Sequence, residues 1–501
     1  MEVYGIRSVM LFALYTRILT VLLQVLFNSL IPDHTADAFS PPQLHNSTLG
    51  DVIVQTLLSG FSHWDAQHFL FIAEFGYVFE HNFAFLPLFP GCMRIVAETL
   101  ASPCKGCLSL HNRLLLSGVL LNTVLFTLAA GALYKLSCVV LKDHSMATLA
   151  SLLFCLTPVS VFMSAAYSES MFILLALAGM WQLEIGWSVL GCVFFALATA
   201  TRSNGTVNAG FLIYLELKRS VRHVRAVMKS AVNGPQTWCW LRVAAQSVLT
   251  VAGGTIAIVL PFALFQYYGY LTFCTPTVTS GQDVPQPLLQ LAREKGYRVP
   301  DINMALPSWC SHRFPLIYSY IQKVYWNLGF LKYYQLRQLP NFLLALPAAF
   351  LGGWAAWQYV AADFWYCVRL GLVSKRRTEV GEKKPANGFH SPEVFIYLVH
   401  MAGLLAFAVC FMHIQVLTRF LASSSPVLYW FCAHLIQKAE AEHATWNSVA
   451  APTNPVLPKN ILTELLLDWR QRSPTTRWLL AYFLLYWLLG LLLHCNFLPW
   501  T

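Results

Sequence analysis

The chain has 501 residues, 57% of them hydrophobic and only 11% charged, with a net charge of +10. A soluble domain carries about 25% charged residues, so a water-facing surface cannot be covered here and the class is a polytopic membrane protein. The basic excess does not point to nucleic acid, because Lys and Arg cluster between apolar runs, where they act as topology signals.

The first apolar run, 8–31, is too long for the core of a cleaved leader and lacks a small-residue cleavage site, so it reads as a retained span with Arg17 midway along it. A large loop follows at 33–112, with an N-glycosylation sequon at Asn46-Ser47-Thr48. Further apolar runs cover 113–134, 146–165, 171–186, 187–201 and 205–217, the last two being two spans or one re-entrant hairpin. Then come 243–268, 341–361, 394–412, 415–434 and 477–493, which makes about eleven spans in one transmembrane domain, 1–501. Thirteen cysteines fall mostly inside apolar runs and read as packing residues. The lone Cys104-Lys-Gly-Cys107 lacks the second pair a zinc site needs. Cys274 and Cys310 share the loop 270–340; a disulfide between them is possible, and the sequence does not establish it.

The basic loops 218–242 and 363–390 are expected on the cytoplasmic side. Counting back with eleven spans puts the N-terminus there too. The loop 33–112, the Tyr167-Ser168-Glu169 turn, the 201–205 region, the loop 270–340 and the 412–415 turn then share the opposite side.

Within the first large loop, His63-Trp64-Asp65-Ala66-Gln67-His68 opens a stretch predicted to be helical over 63–77, too short and too polar to span. One reading is an interfacial helix with its aromatics embedded in lipid. The sharper reading makes Asp65 a general base whose pKa is raised by partial desolvation, with His63 and His68 positioning it or contacting a substrate. The His-X-Asp-X-X-His spacing is not a standard zinc set. Glu80 to Pro90 follows, rich in aromatics with two prolines, which suits a wall for a ring-shaped ligand or an ordinary aromatic belt. On the same side lie Glu169 at a turn, Arg202-Ser203-Asn204-Gly205 at a span end, and His413 to Phe420, where His413, Gln415 and Arg419 interrupt apolar sequence. Ionisable groups at membrane depth are functional candidates, and arginine suits a phosphate through its planar, bidentate donors. One aspartate, aromatics and arginines on one membrane face would fit a lipid-linked phosphate and a polar acceptor.

The strings IPDHTADAFSPP, SHWDAQHFLFIAEFGY, EHNFAFLPLFP, RSNG, LPFALFQYYGY, QVLTRFLASSSPVLYW and LLHCNFLPWT resemble the PIG-V family of GPI mannosyltransferases over nearly the whole chain. The resemblance implies an all-α bundle of the GT-C glycosyltransferase type in the endoplasmic reticulum membrane. It implies transfer of the second, α1,6-linked mannose from dolichyl-phosphate-mannose to the GPI precursor on the lumenal face. The family's catalytic acid residue in the first lumenal loop matches Asp65. An inverting displacement then needs one base and a stabilised phosphate leaving group. Arg202 and Arg419 are the candidates for that phosphate. His63, Trp64, His68, Glu80, Glu169, Asn204, His413 and Gln415 are candidates for sugar or acceptor contacts, and Phe85 and Tyr77 for stacking on sugar faces. A monophosphate donor has no diphosphate for a metal to bridge, so no cofactor or metal is expected. The expected partners are the donor lipid, the GPI glycolipid and the membrane; protein partners are not readable. Two other classes remain open at this point. A lipid transporter or scramblase would often show matching repeats, and none is visible. A non-catalytic subunit of the same pathway would tolerate loss of Asp65.

Overall fold

The computed structural model describes residues 2–44, 47–230, 237–275, 284–300, 305–372, 387–447 and 461–500; Asn46 falls outside them. The described residues form α-helices and short 3-10 turns, with no strand among them. Among the described residues, six helices are long and apolar enough to cross a membrane: Gly5–Leu30, Leu110–Leu141, Arg242–Cys274, Leu336–Ala362, Pro392–Phe411 and Pro474–Cys495.

The expectation of about eleven spans is not met by length and composition. The other apolar runs do form helices, but His144–Cys155, Glu169–Glu184 and Ser188–Thr201 hold 12, 16 and 14 residues. At 1.5 Å per residue these reach about 18–24 Å, short of the roughly 30 Å hydrocarbon core. The 146–165 run breaks after Cys155 at Thr157-Pro158, and the 415–434 run breaks between Leu417–Ala422 and Val427–Asn447 at three serines and Pro426. A proline cannot donate to the ladder and pushes its predecessor out of helical backbone, so both breaks follow from local chemistry.

The bundle is wrapped in apolar side chains. On the Arg242–Cys274 helix, Leu249, Ile256, Leu260 and Leu264 are exposed while Ile258 and Phe265 are buried. Such an outer face is at home only in lipid. Inside, Arg17 is fully buried. Its guanidinium donates to the Ser160 carbonyl at 2.9 Å, to Ser164 Oγ at 3.0 Å and to Ser160 Oγ, and it lies 4.0 Å from the Phe126 ring centre. It therefore ties the first span to the 160–164 turn and takes no part in the site described below. The 218–242 stretch is largely helical, being the end of Ala209–Ser230 and the start of Thr237–Cys274.

Cys274 and Cys310 form a disulfide with 5.6 Å between their Cα atoms. It pins the end of one span to the turn Ser308–Ser311. Trp309 of that turn donates to Glu80 Oε1 at 2.9 Å, and Tyr325 donates to Glu80 Oε2 at 2.8 Å. The two large loops are thereby joined through one buried carboxylate.

Candidate active site

Asp65 is the first residue of the helix Asp65–Phe75, which buries Ala66, Phe69, Leu70 and Ala73 against the protein. The helix is thus packed into the bundle, not laid on lipid with its aromatics outward. Trp64, just before it, has φ of 57°, a left-handed conformation costly for a bulky side chain. A single hydroxyl braces both sides of that residue. Tyr167 Oη accepts from the Asp65 amide at 3.1 Å and donates to the His63 carbonyl at 3.3 Å, with His494 Nε2 a further 3.2 Å away. This turn aims the Asp65 carboxylate away from the helix and places it at a helix N-terminus, where the dipole favours negative charge.

Four charges from four chain segments meet there. Arg419 donates through Nη2 to Asp65 Oδ2 at 2.9 Å, and its Nε pairs with Glu169 Oε1 at 3.0 Å. Arg202 pairs with the same Glu169 oxygen through Nη1. Glu169 is fully buried, while Asp65 keeps 34% of its side-chain surface open. The Arg419 guanidinium also lies 4.9 Å from the Phe162 ring centre and 5.5 Å from that of Tyr167. The expectation of a raised Asp65 pKa is overturned. Burial does push the carboxyl upward, but Arg419 in contact, with His68 and Arg202 beyond it, outweighs burial and holds the pKa below its ordinary value.

Asp65, Arg202 and Arg419 line a cavity of about 1230 Å³. Trp64, Phe85, Asn204, His413 and Gln415 line the same cavity. Apolar residues line it as well, among them Phe211, Phe262 and Ile396, Val399, Gly403, Leu404 and Phe407 of a spanning helix, together with His400 of that helix and Lys323 and Lys332. Those helix residues recur at three- and four-residue steps, so one stripe lines the groove for several turns.

Most candidates read from the sequence converge on this cavity, and several do not. His63 is buried outside it, with Nδ1 3.3 Å from the His494 carbonyl and its ring stacked on Phe497 at 3.9 Å. His68 lies between Phe39 and Phe85, with ring centres 4.4 Å and 4.7 Å away, and burial pushes its pKa down to about 4. Glu80 is fully buried and taken up by Trp309 and Tyr325. Tyr77 donates to the Phe85 carbonyl and does not line the cavity. Glu169 stands behind the wall and reaches the cavity only through its arginines. At the wall itself, Asn204 donates to Ser424 Oγ at 3.1 Å, Gln415 accepts from Tyr333 at 3.0 Å, and His413 stacks on Tyr333. Sequence reasoning missed the bracing hydroxyl of Tyr167 and the contributions of Phe162, His494 and Trp500. No local pattern marks them, because each acts through a neighbour distant in the chain.

A family model described as mannosyltransferase (PIG-V) matches residues 6–501. The chain belongs to the PIG-V mannosyltransferase family. It is therefore a glycosyltransferase, and the transporter and non-catalytic readings give way. Over 99% of its length it is 50% identical to the GPI alpha-1,6-mannosyltransferase 2 of Cricetulus griseus and 49% identical to that of Homo sapiens, covering 98% of each. GPI mannosyltransferase 2 of Drosophila pseudoobscura pseudoobscura is 31% identical over 84% of this chain and 89% of its own. The archaeal oligosaccharyltransferase AglB of Archaeoglobus fulgidus shares 10% identity and a TM-score of 0.42, over 93% of this chain and 55% of AglB; nothing about activity follows from so distant a likeness.

Proposed function

We propose that this mannosyltransferase moves mannose from dolichyl-phosphate-mannose to the 6-hydroxyl of a GPI precursor, adding the second, α1,6-linked mannose on the lumenal face of the endoplasmic reticulum membrane. The observation that carries this reading is the Asp65–Arg419–Glu169–Arg202 cluster at a cavity that also carries a broad apolar stripe, with Lys323 and Lys332 among its other lining residues. A lipid-linked phosphate needs both ends: an apolar slot for its tail and charge-assisted donors for its headgroup. The relatives' names, GPI alpha-1,6-mannosyltransferase 2, supply the acceptor class and the linkage.

In this reading Asp65 takes the proton of the acceptor hydroxyl while that oxygen attacks the anomeric carbon from the face opposite the phosphate. One displacement inverts the β-linked donor to an α-linked product, through an oxocarbenium-like transition state. Arg202 and Arg419 stabilise the departing phosphate as its charge grows. Arginine suits the task because it stays protonated and offers paired donors. The donor's single phosphate requires no metal, so transfer should persist in a chelator.

The reading is tested by supplying labelled dolichyl-phosphate-mannose and a one-mannose GPI precursor to membranes from cells lacking their own enzyme but expressing this chain. An α1,6-linked two-mannose product is expected, with and without EDTA. Transfer only from a nucleotide sugar, or only to another acceptor, would overturn it.

A further inference from the structure

We infer that Arg419 couples the two ends of the reaction: as Asp65 captures the acceptor's proton, the guanidinium gives up that carboxylate and turns to the departing phosphate. The inference rests on the base and phosphate roles proposed above and goes beyond them, since it assigns one side chain to both events in sequence.

The geometry suits a pivot. Arg419 Nε lies 3.0 Å from Glu169 Oε1 as an ion pair without hydrogen-bond geometry, and only the distal Nη2 donates a hydrogen bond, to Asp65 at 2.9 Å. Glu169 is fully buried, and its second oxygen has no hydrogen-bond partner. It is therefore a fixed negative anchor close to the part of the guanidinium that moves least. The rings of Phe162 and Tyr167 lie beside the guanidinium and confine it to a swing. Arg202 needs no such exchange, because its carboxylate partner is Glu169 and not the base.

Charge supplies the direction. Within the cluster the two carboxylates balance the two arginines at rest, so Arg419 is committed to carboxylates before transfer begins; Lys323 and Lys332 also line the cavity. During transfer the acceptor's O–H bond breaks and its proton goes to Asp65. The new bond forms between that oxygen and the anomeric carbon. The old bond from that carbon to the phosphate oxygen breaks, and its electron pair leaves with the phosphate. Asp65 loses one negative charge as the phosphate gains one, so the total charge of the cluster does not change. Arg419 is the cation whose partner has just been neutralised and whose cavity-facing end is free to follow the charge. Glu169 acts as a positioning residue throughout.

The consequence is that neutralising Asp65 should strengthen phosphate binding even as it stops the reaction. Binding of dolichyl phosphate to the purified full-length protein in nanodiscs at constant pH tests this with wild type, Asp65→Asn, Arg419→Gln and the double variant. Asp65→Asn is expected to bind about tenfold more tightly than wild type, and Arg419→Gln about tenfold more weakly. The double variant should show no gain over Arg419→Gln. If Asp65→Asn binds no more tightly while Arg419→Gln still weakens binding, the coupling is overturned and the phosphate role stands. A gain that persists in the double variant also overturns it, because the gain then does not pass through Arg419. If Arg419→Gln binds as wild type does, the phosphate role of this arginine falls, and the coupling with it.

Discussion

Asp65 answers to two opposed influences. Burial favours its neutral form, and Arg419, reinforced by His68 and Arg202, favours the carboxylate strongly enough to set the balance below the usual range. A base must be deprotonated, so with a lowered pKa the active form persists into acid. On Asp65's account kcat/KM should stay level from neutral pH down to about pH 5. Removing the positive charge in Arg419→Gln lifts the restraint, and the acid limb of the kcat/KM profile should move to higher pH. A limb that stays in place would detach Arg419 from the titration of the base. His68 and His81 are also held below their ordinary range, but here burial is the cause. Burial lowers them to about 4 and about 3, so the folded protein refuses protons that the unfolded chain accepts below its ordinary histidine range. Thermal stability should therefore fall as pH drops from about 6.5 towards 4, and His68→Phe with His81→Phe should flatten that slope. At this scale the sequence revealed Asp65, Arg202 and Arg419 because charge in apolar surroundings is conspicuous. The same signal drew attention to Arg17, which the serines of a neighbouring turn satisfy instead. Depth marks a charged side chain as having a partner, and only the fold tells whether that partner is protein or substrate.

Between residue and bundle, short connections set the site. Arg202 stands at the end of Ser188–Thr201, and the chain turns back at once through Ser203–Asn208, with the Gly205 amide donating to the Arg202 carbonyl at 2.9 Å. A Cβ on Gly205 would lie 2.5 Å from the Thr199 backbone nitrogen, which cannot move without moving the helix. Gly205→Ala should cost about 1–3 kcal/mol of stability and lower transfer further by shifting Arg202 from Glu169; thermal melts and transfer rates on the same preparation would show both. The disulfide closes a loop of 36 residues, worth about 4 kcal/mol on chain-entropy grounds. Cys310→Ser should lower the melting temperature under oxidising conditions and loosen Trp309 from Glu80. The helix of the first loop was legible from its uninterrupted pattern and terminal glycine. The breaks inside two predicted spans were signalled by Pro158 and Pro426 but masked by strong hydrophobicity on either side. The bond from Tyr167 to the turn at Trp64 joins residues 102 apart in sequence and left no local trace.

For the molecule as a whole, an all-helical membrane bundle follows directly from scarce charge and long apolar runs, and among the described residues six helices meet the length a bilayer demands. The shorter helices fall below that length, and composition reports burial without saying whether lipid or protein provides it. Glu169–Glu184, for instance, is buried largely by its neighbours. Asp65, Glu169, Arg202 and Arg419 meet in one cluster, and the basic stretches 218–242 and 363–390 are expected on the opposite, cytoplasmic face. The assignment predicts glycan at Asn46, seen as an endoglycosidase-sensitive mass shift that Asn46→Gln abolishes. A protease site inserted at 373–386 should be cut only from the cytosolic side of sealed microsomes.

The central claim is that Asp65 is the base. Its most direct test is mannose transfer from labelled dolichyl-phosphate-mannose to the one-mannose GPI precursor, comparing wild type and Asp65→Asn at equal protein level in membranes that lack their own enzyme. A loss of about a hundredfold or more, the scale of removing a positioned base, is the predicted result. Equal rates for the two proteins would contradict it and return the helix at Asp65 to a purely structural role.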